Sequence, residues 1–247
     1  MKGQRLRVIT MNMHKGLSAL HLHPTIYGLR QKMRHQHADL IFLQELQQEH
    51  RGRAKRYGWW PHNELTHYLS AGFWRHWHYG KNVEYQHGHH GNAIFSQHAL
   101  QKGLNYDISA YRFERRGLLH SQIQLTENGP VIHCFCVHLA LFQSGRERQL
   151  VEIIAHIKQL TAGGPTIVAG DFNDWRNRLS EPMRAAGFSE VFEELTGVPA
   201  KTFPSIKPIL PMDRIYVRGL KIHSAALLHD WEKLSDHLGI TTELELT

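Results

Sequence analysis

Asp171 and Asn173 stand at the end of Pro165-Thr166-Ile167-Val168-Ala169-Gly170, a short apolar run that follows Gly163-Gly164. In extended chain, residues two apart point the same way. Asp171 and Asn173 are therefore expected side by side, with Phe172 turned to the opposite face. A carboxylate beside a carboxamide can hold and orient a water next to a metal or a phosphate. The same residues, Asp171 to Asp174, also suit a plain turn, because Asp and Asn side chains bond their own backbone. Five other apolar runs break the tie by placing polar residues at or next to one end: Asn12, Glu45, His138, Asp213, and Asp236 with His237. Glu45, Asp236 and Asn12 offer hard oxygen ligands suited to Mg²⁺. His138 and His237 carry imidazoles that titrate near neutrality. Asp213 could orient one imidazole by accepting its other N–H. Together these are parts for metal-assisted attack of water on phosphorus. No soft ligand belongs to the set, so Mg²⁺ or Mn²⁺ is expected rather than zinc.

The elements that must position these groups follow from apolar patterning. Leu6 to Asn12 reads as a first strand. Thr25 is a plausible N-cap for an amphipathic helix through about His35, and Ala38 to Glu45 reads as a second strand, so that the three form a βαβ unit. Arg51 to Arg56 reads as a basic exposed turn, and a helix is expected from about Glu64 to Trp74. Trp59, Trp60, Phe73, Trp74 and Trp77 fit either a stacking platform for bases or packing in the core. Core packing is the preferred reading. Further strands are expected at 91–96, 104–108, 116–125 and 131–139, with a turn at Asn128-Gly129-Pro130. Ser144 and Glu147 have the spacing of a capping box, ahead of a helix carrying Leu150, Ile153, Ile154, Ile157 and Leu160. Ser180 and Ser189 are candidate caps of two short helices, and Asp213 to Val217, His223 to Leu228 and Leu238 to Leu246 read as the last strands. No repeat, low-complexity tract or linker interrupts the 247 residues, so one domain over 1–247 is expected.

Lys and Arg exceed Asp and Glu by 29 − 22 = +7, which favours anionic partners such as nucleic acid, phosphorylated small molecules or acidic lipid headgroups. The tract His87-Gly88-His89-His90 reads as a solvated loop. The two cysteines, Cys134 and Cys136, point the same way on one strand and do not suit a disulfide or a zinc ribbon. Asn12, His14 and Lys15 interrupt the first apolar stretch too early for a signal peptide, and no apolar run is long enough to span a membrane. A cytoplasmic protein is the expectation, with no obligate protein partner that can be inferred.

Thr10-Met11-Asn12, Leu43-Gln44-Glu45, Gly91 to Ser96, Val137-His138-Leu139, Gly170 to Asn173, Asp213-Arg214-Ile215 and Ser235-Asp236-His237 resemble, in order, the motifs of the endonuclease/exonuclease/phosphatase superfamily. Asn12-Met13-His14-Lys15-Gly16 is similar to the start of its small bacterial members. The resemblance implies an α/β four-layer sandwich: two mainly antiparallel β-sheets packed face to face, helices outside, and the site at one end between the sheets. It implies a phosphodiester substrate, nucleic acid first and phospholipid headgroups or other small phosphoesters second. Carried over by position, Glu45 resembles the main Mg²⁺ ligand, with Asn12 and Asp236 beside it. Asp171, helped by Asn173, resembles the residue that activates the attacking water. His237, paired with Asp213, resembles the imidazole that engages the scissile phosphate. His138 resembles the second histidine, stabilising phosphate oxygens. His14 stands where abasic-site nucleases have an acidic residue, and Pro211-Met212-Asp213-Arg214 lacks the Trp-Cys pair of the inositol polyphosphate 5-phosphatases, so neither subclass is implied.

Overall fold

Val8, Leu40, Phe42, Cys134, Cys136, Ile167 and Ala169 face one buried layer. Their chain neighbours Ile9, Ile41 and Leu43 face a second, and Phe135, Val137 and Val168 a third. A strand buried on both faces needs apolar residues at every position, which is why these segments read as unbroken runs. In the computed structural model, which describes residues 4–19, 23–58, 60–61 and 64–246, the runs are strands of two sheets.

The first half of the chain forms β1 (Arg5–Asn12), α1 (Ile26–His35), β2 (Leu40–His50), α2 (Arg51–Arg56), α3 (Leu65–Ser70), β3 (His76–Tyr85), β4 (Gly88–Ser96) and β5 (Gln101–Asp107). There follow β6 (Gly117–Gln124), β7 (Val131–His138), α4 (Gln143–Thr161), β8 (Thr166–Asp171), α5 (Ser180–Ala185), β9 (Ser189–Glu190) and α6 (Val191–Thr196). The chain closes with β10 (Asp213–Arg218), β11 (Leu220–Leu228) and β12 (Gly239–Leu246). Among the described residues each sheet has six strands, in the orders β11-β12-β1-β2-β4-β3 and β5-β6-β7-β8-β10-β9. Each contains one parallel pair, β1 with β2 and β7 with β8, and its other pairings are antiparallel.

The layer between the sheets is apolar. On one outer face, α1 packs through Ile26, Leu29 and Met33, together with Trp60, Trp74 and Trp231. On the other, α4 packs through Leu150, Ile153 and Ile157. This is the four-layer α/β sandwich expected from the sequence. No helix among the described residues is long and apolar enough to cross a membrane.

Several local expectations are corrected. Arg51 to Arg56 is a short helix, started by the His50 ring nitrogen, which accepts from Arg53 N at 3.2 Å. The helix expected to run to Trp74 stops at Ser70. Trp60 and Trp74 are buried in the core and Phe73 and Trp77 are half-buried against it, as core packing requires; Trp59 lies outside the described residues. Gly88, His89 and His90 begin β4 rather than forming a solvated loop. Ser144 does not cap α4, which starts one residue earlier, and its hydroxyl meets the Tyr111 hydroxyl at 2.8 Å. Neither Ser180 nor Ser189 is a cap. The Asp174 carboxylate takes the Leu179 N–H at the start of α5, and Glu190 takes those of Phe192 and Glu193 at the start of α6. Carboxylates can outcompete hydroxyls at helix N-termini because they also meet the positive end of the helix dipole.

Candidate active site

Strand direction and register bring the polar residues to one edge. Asn12, His138 and Asp171 are the last residues of β1, β7 and β8. Asp213 is the first of β10, which runs antiparallel to β8 and pairs Asp213 directly with Asp171. The parallel register of β7 and β8 pairs His138 with Asp171. Asp236 and His237 lie one residue ahead of β12, which is antiparallel to β1. Six residues predicted from strand ends therefore share one rim, drawn from both sheets.

Glu45 and Asn173 arrive differently from the sequence expectation. β2 does not end at Glu45. It continues to His50 through a register break between Leu43 and Leu46, and Glu45 takes a positive φ of 53° at that break. Asn173 also has a positive φ, 51°, and lies past the end of β8, so it is not on an extended face with Asp171. A turn brings it back: its N–H donates to Asp171 Oδ1 at 2.9 Å, and its carboxamide donates to Leu139 O at 2.9 Å. The turn reading of this stretch therefore holds, and the turn sets Asn173 against Asp171 at the rim. His14 and Lys15 also have positive φ. Non-glycine residues in the left-handed region cost energy and collect where a site fixes them.

Asp171 Oδ2 is the hub. It accepts from Asn12 Nδ2 at 3.0 Å and lies 3.5 Å from His138 Nε2 and 3.9 Å from His237 Nε2. The other nitrogen of His237, Nδ1, donates to Asp213 Oδ2 at 2.8 Å, and Thr202 Oγ1 donates to the same oxygen at 2.6 Å. Asn12 Nδ2 also reaches Glu45 Oε1 at 3.4 Å, while Asn12 Oδ1 accepts the His14 N–H at 3.0 Å. His14 Nδ1 is 3.4 Å from Asp236 Oδ1, and Lys15 Nζ is 3.7 Å from Glu45 Oε2. Ser235 Oγ donates to Asn12 O at 2.7 Å and so ties the Asp236-His237 segment to the end of β1. All eight predicted residues belong to this one network.

Burial and charge set the protonation states. Burial raises Asp171, and the neighbouring Asp213 raises it further against the pull of His237 and Asn12, leaving it at about 6. Burial would lower His237, yet the carboxylates of Asp213 and Asp171 outweigh it and hold the ring at about 10, an imidazolium at neutral pH. His138 is pushed well below its ordinary value by burial, then by Arg116, His237, His90 and Lys15, so it is a neutral ring. Burial opposes ionisation of Glu45, but Lys15, the Asn12 amide, His90 and His14 hold its carboxyl below the usual range.

Among the described residues, ligand atoms of Asp171, Asp213 and His237 lie within 4.8 Å of one another. His237 Nδ1 is already engaged by Asp213 Oδ2 at 2.8 Å, so this trio reads as a carboxylate-oriented imidazole beside Asp171. Glu45, Asp236 and Asn12 fit a divalent cation by donor chemistry: two carboxylates and a carboxamide, all hard oxygen. The Lys15 ammonium lies beside Glu45 and partly balances its charge.

Lys15, His14, His90, Arg116, Thr202 and Ser235 carry no role in the sequence reading. The first two sit in the quoted Asn12 to Gly16 motif, which was a usable signal. His90 is half-buried at the start of β4, pushed down to about 4 by burial and Lys15. Arg116 donates to Leu139 O at 3.1 Å, and only the three-dimensional arrangement reveals it.

Comparison with known proteins agrees with this geometry. The model of the Endonuclease/Exonuclease/phosphatase family matches residues 9–237. The uncharacterized protein YbhP of Escherichia coli (strain K12) is 37% identical over 243 residues, covering 97% of this chain and 96% of that protein. An endonuclease/exonuclease/phosphatase from Beutenbergia cavernae DSM 12333 superposes with a TM-score of 0.79 at 18% identity, covering 98% of this chain and 72% of the other. D. rerio TDP2 complexed with single strand DNA product superposes with a TM-score of 0.70 at 22% identity, covering 98% and 99%. At these identities the two structures show a shared fold.

Proposed function

This chain belongs to the endonuclease/exonuclease/phosphatase family, a family of hydrolytic phosphoesterases, and on that premise we propose that it is a Mg²⁺-dependent phosphodiesterase acting on nucleic acid, with 1–247 working as one domain. One observation carries the reading. A buried carboxylate, Asp171, faces Asn12, a neutral histidine and a histidine–aspartate pair, with two further carboxylates beside them. That set can deliver water to phosphorus and meet the charge that develops.

Glu45, Asp236 and Asn12 would hold Mg²⁺, or Mn²⁺ in its place, and the bound ion supplies neutralisation of phosphate charge as a Lewis acid. The chain's own residues do the rest. Asp171 orients the attacking water and takes its proton; the Asn173 N–H on Asp171 Oδ1 keeps Oδ2 turned to the cluster. His237, charged and fixed through Nδ1 by Asp213, directs Nε2–H at a phosphate oxygen or the leaving oxygen. His138, neutral, donates one N–H to a phosphate oxygen without adding a charge to be desolvated. Positioning and charge stabilisation supply most of the rate in phosphoryl chemistry.

The choice of nucleic acid draws on the net charge of +7 and on the shared fold with a protein that holds a single strand DNA product. The test is a panel of single- and double-stranded DNA, RNA, phospholipid vesicles and an activated phosphodiester, each with Mg²⁺ and with EDTA. Cleavage of a nucleic acid that EDTA abolishes is expected. Cleavage of only the lipid or the activated ester would replace nucleic acid by a small phosphoester.

A further inference from the structure

Three loops leave the catalytic rim and are tied together at Leu139. The loop after β7 follows His138 directly, and the loop after β8 follows Asp171. The Asn173 carboxamide and the Arg116 guanidinium both donate to Leu139 O, and Glu114 Oε1 accepts the Leu141 N–H at 3.1 Å. The loop between β5 and β6 is thereby fixed against the other two.

These loops carry aromatic rings that face solvent. Phe113 is 77% exposed, Phe142 58% and Trp175 37%. The rings are held in place. Tyr111 lies parallel to Phe113, with centroids 5.2 Å apart and planes 12° apart, and meets Phe142 edge-on at 6.0 Å. The Tyr111 hydroxyl bonds Ser144, and its ring rests on α4 at Gly145, where an added Cβ would come within 2.6 Å of it. The Arg148 guanidinium lies 4.9 Å from the Tyr111 centroid, and that of the buried Arg146 lies 4.5 Å from the Trp175 centroid. Arg112, Arg148, Arg176 and Arg178, which neighbour the rings in sequence, are exposed. The carboxylates of the same loops are turned inward: Glu114 bonds Arg116 and Leu141, and Asp174 caps α5. Glu147 on α4 is exposed and accepts from Gln143, but the four exposed arginines outnumber it, so the outer face is aromatic and net cationic.

We propose that Tyr111, Phe113, Phe142 and Trp175 form a shelf on which the unpaired bases of a single-stranded nucleic acid stack, with the surrounding arginines meeting its phosphates. Bases stack on aromatic faces without regard to sequence, and arginines track the backbone. Paired bases are stacked on each other and cannot use such a shelf. The proposal rests on the nucleic-acid reading above and narrows it to unpaired strands.

The test is the dissociation constant of a fluorescently labelled ten-nucleotide DNA or RNA, measured by anisotropy on the full chain in EDTA so that turnover is absent. Trp175→Ala and Phe113→Ala alter exposed side chains and should each weaken binding roughly tenfold. Tyr27→Ala, an exposed aromatic on α1, should leave it unchanged. Annealing a complement should weaken wild-type binding. If the wild type binds and cuts oligonucleotides while the shelf variants bind like it, or if duplex binds as tightly as single strand, the shelf is refuted and the nuclease reading stands. If the wild type neither binds nor cuts any oligonucleotide, the nucleic-acid reading falls and takes the shelf with it. If the two variants lose only binding to phosphatidylglycerol vesicles, the surface is a lipid contact and the shelf is refuted.

Discussion

Asp213 Oδ2 receives two hydrogen bonds, from Thr202 Oγ1 and His237 Nδ1, while its Oδ1 has no partner among the described residues. In the proposed mechanism it charges and aims the imidazole. Asp213→Asn should therefore lower kcat by about 10²–10⁴ with little change in KM, as for a lost proton-transfer partner. Steady-state kinetics on an oligonucleotide checks this, and wild-type kcat would remove Asp213 from the mechanism. Glu45→Gln should instead raise the Mg²⁺ concentration for half-maximal rate, and an unaltered Mg²⁺ titration would count against Glu45 as a ligand. Residue types at expected strand ends put all eight groups into one candidate set, though Glu45 and Asn173 reach the rim by a strand break and a turn rather than at a strand end. Thr202 and Arg116 were not legible, because a lone hydroxyl or guanidinium in a loop carries no periodic signal, and its partners lie far off in the chain.

At the scale of elements, β8 reaches Asp171 through Gly170, whose φ is 151° and where an added Cβ would fall on the carbonyl oxygen of Val137 in β7. Gly170→Ala should cost on the order of 2 kcal/mol or more by forcing the two strands apart. A denaturant midpoint equal to that of the wild type would contradict the packing described. Glu190 makes a different prediction. It caps α6 while buried, and its Oε1 has no partner among the described residues, so burial pushes its carboxyl up from 4.5 to about 7 despite the pull of Arg214. The folded chain then holds this proton more tightly than the unfolded chain. Its contribution to stability is present below about pH 4.5 and is lost as pH rises through about 7. Glu190→Gln keeps an oxygen for the cap and should flatten that loss, seen as a smaller fall in urea midpoint between pH 5 and pH 8. Buried strands and the long helix were legible from their apolar patterning. β3 was not, because His76 to Tyr85 alternates polar and aromatic residues at a sheet edge with no apolar run. The break in β2 was also hidden, since Gln44 and Glu45 read as the end of a strand.

For the whole molecule, two sheets closed around an apolar layer leave one rim where both contribute polar strand ends. This arrangement places Asn12 and Glu45, the proposed Mg²⁺ donors, on the first sheet, opposite Asp171, Asp213 and His138 on the second. The sandwich itself was legible only through the resemblance carried by seven motifs in order, because local patterning predicts strands and not their pairing. The net charge of +7 adds a solution property: binding to nucleic acid should weaken steeply with salt. The central claim, that the Asp171 cluster is the hydrolytic centre, is tested most directly by single-turnover cleavage of a single-stranded oligonucleotide by wild type and Asp171→Asn in Mg²⁺. A variant with the wild-type unfolding midpoint and a rate lower by about 10² or more is the predicted result. A folded Asp171→Asn protein that cleaves at the wild-type rate would contradict it.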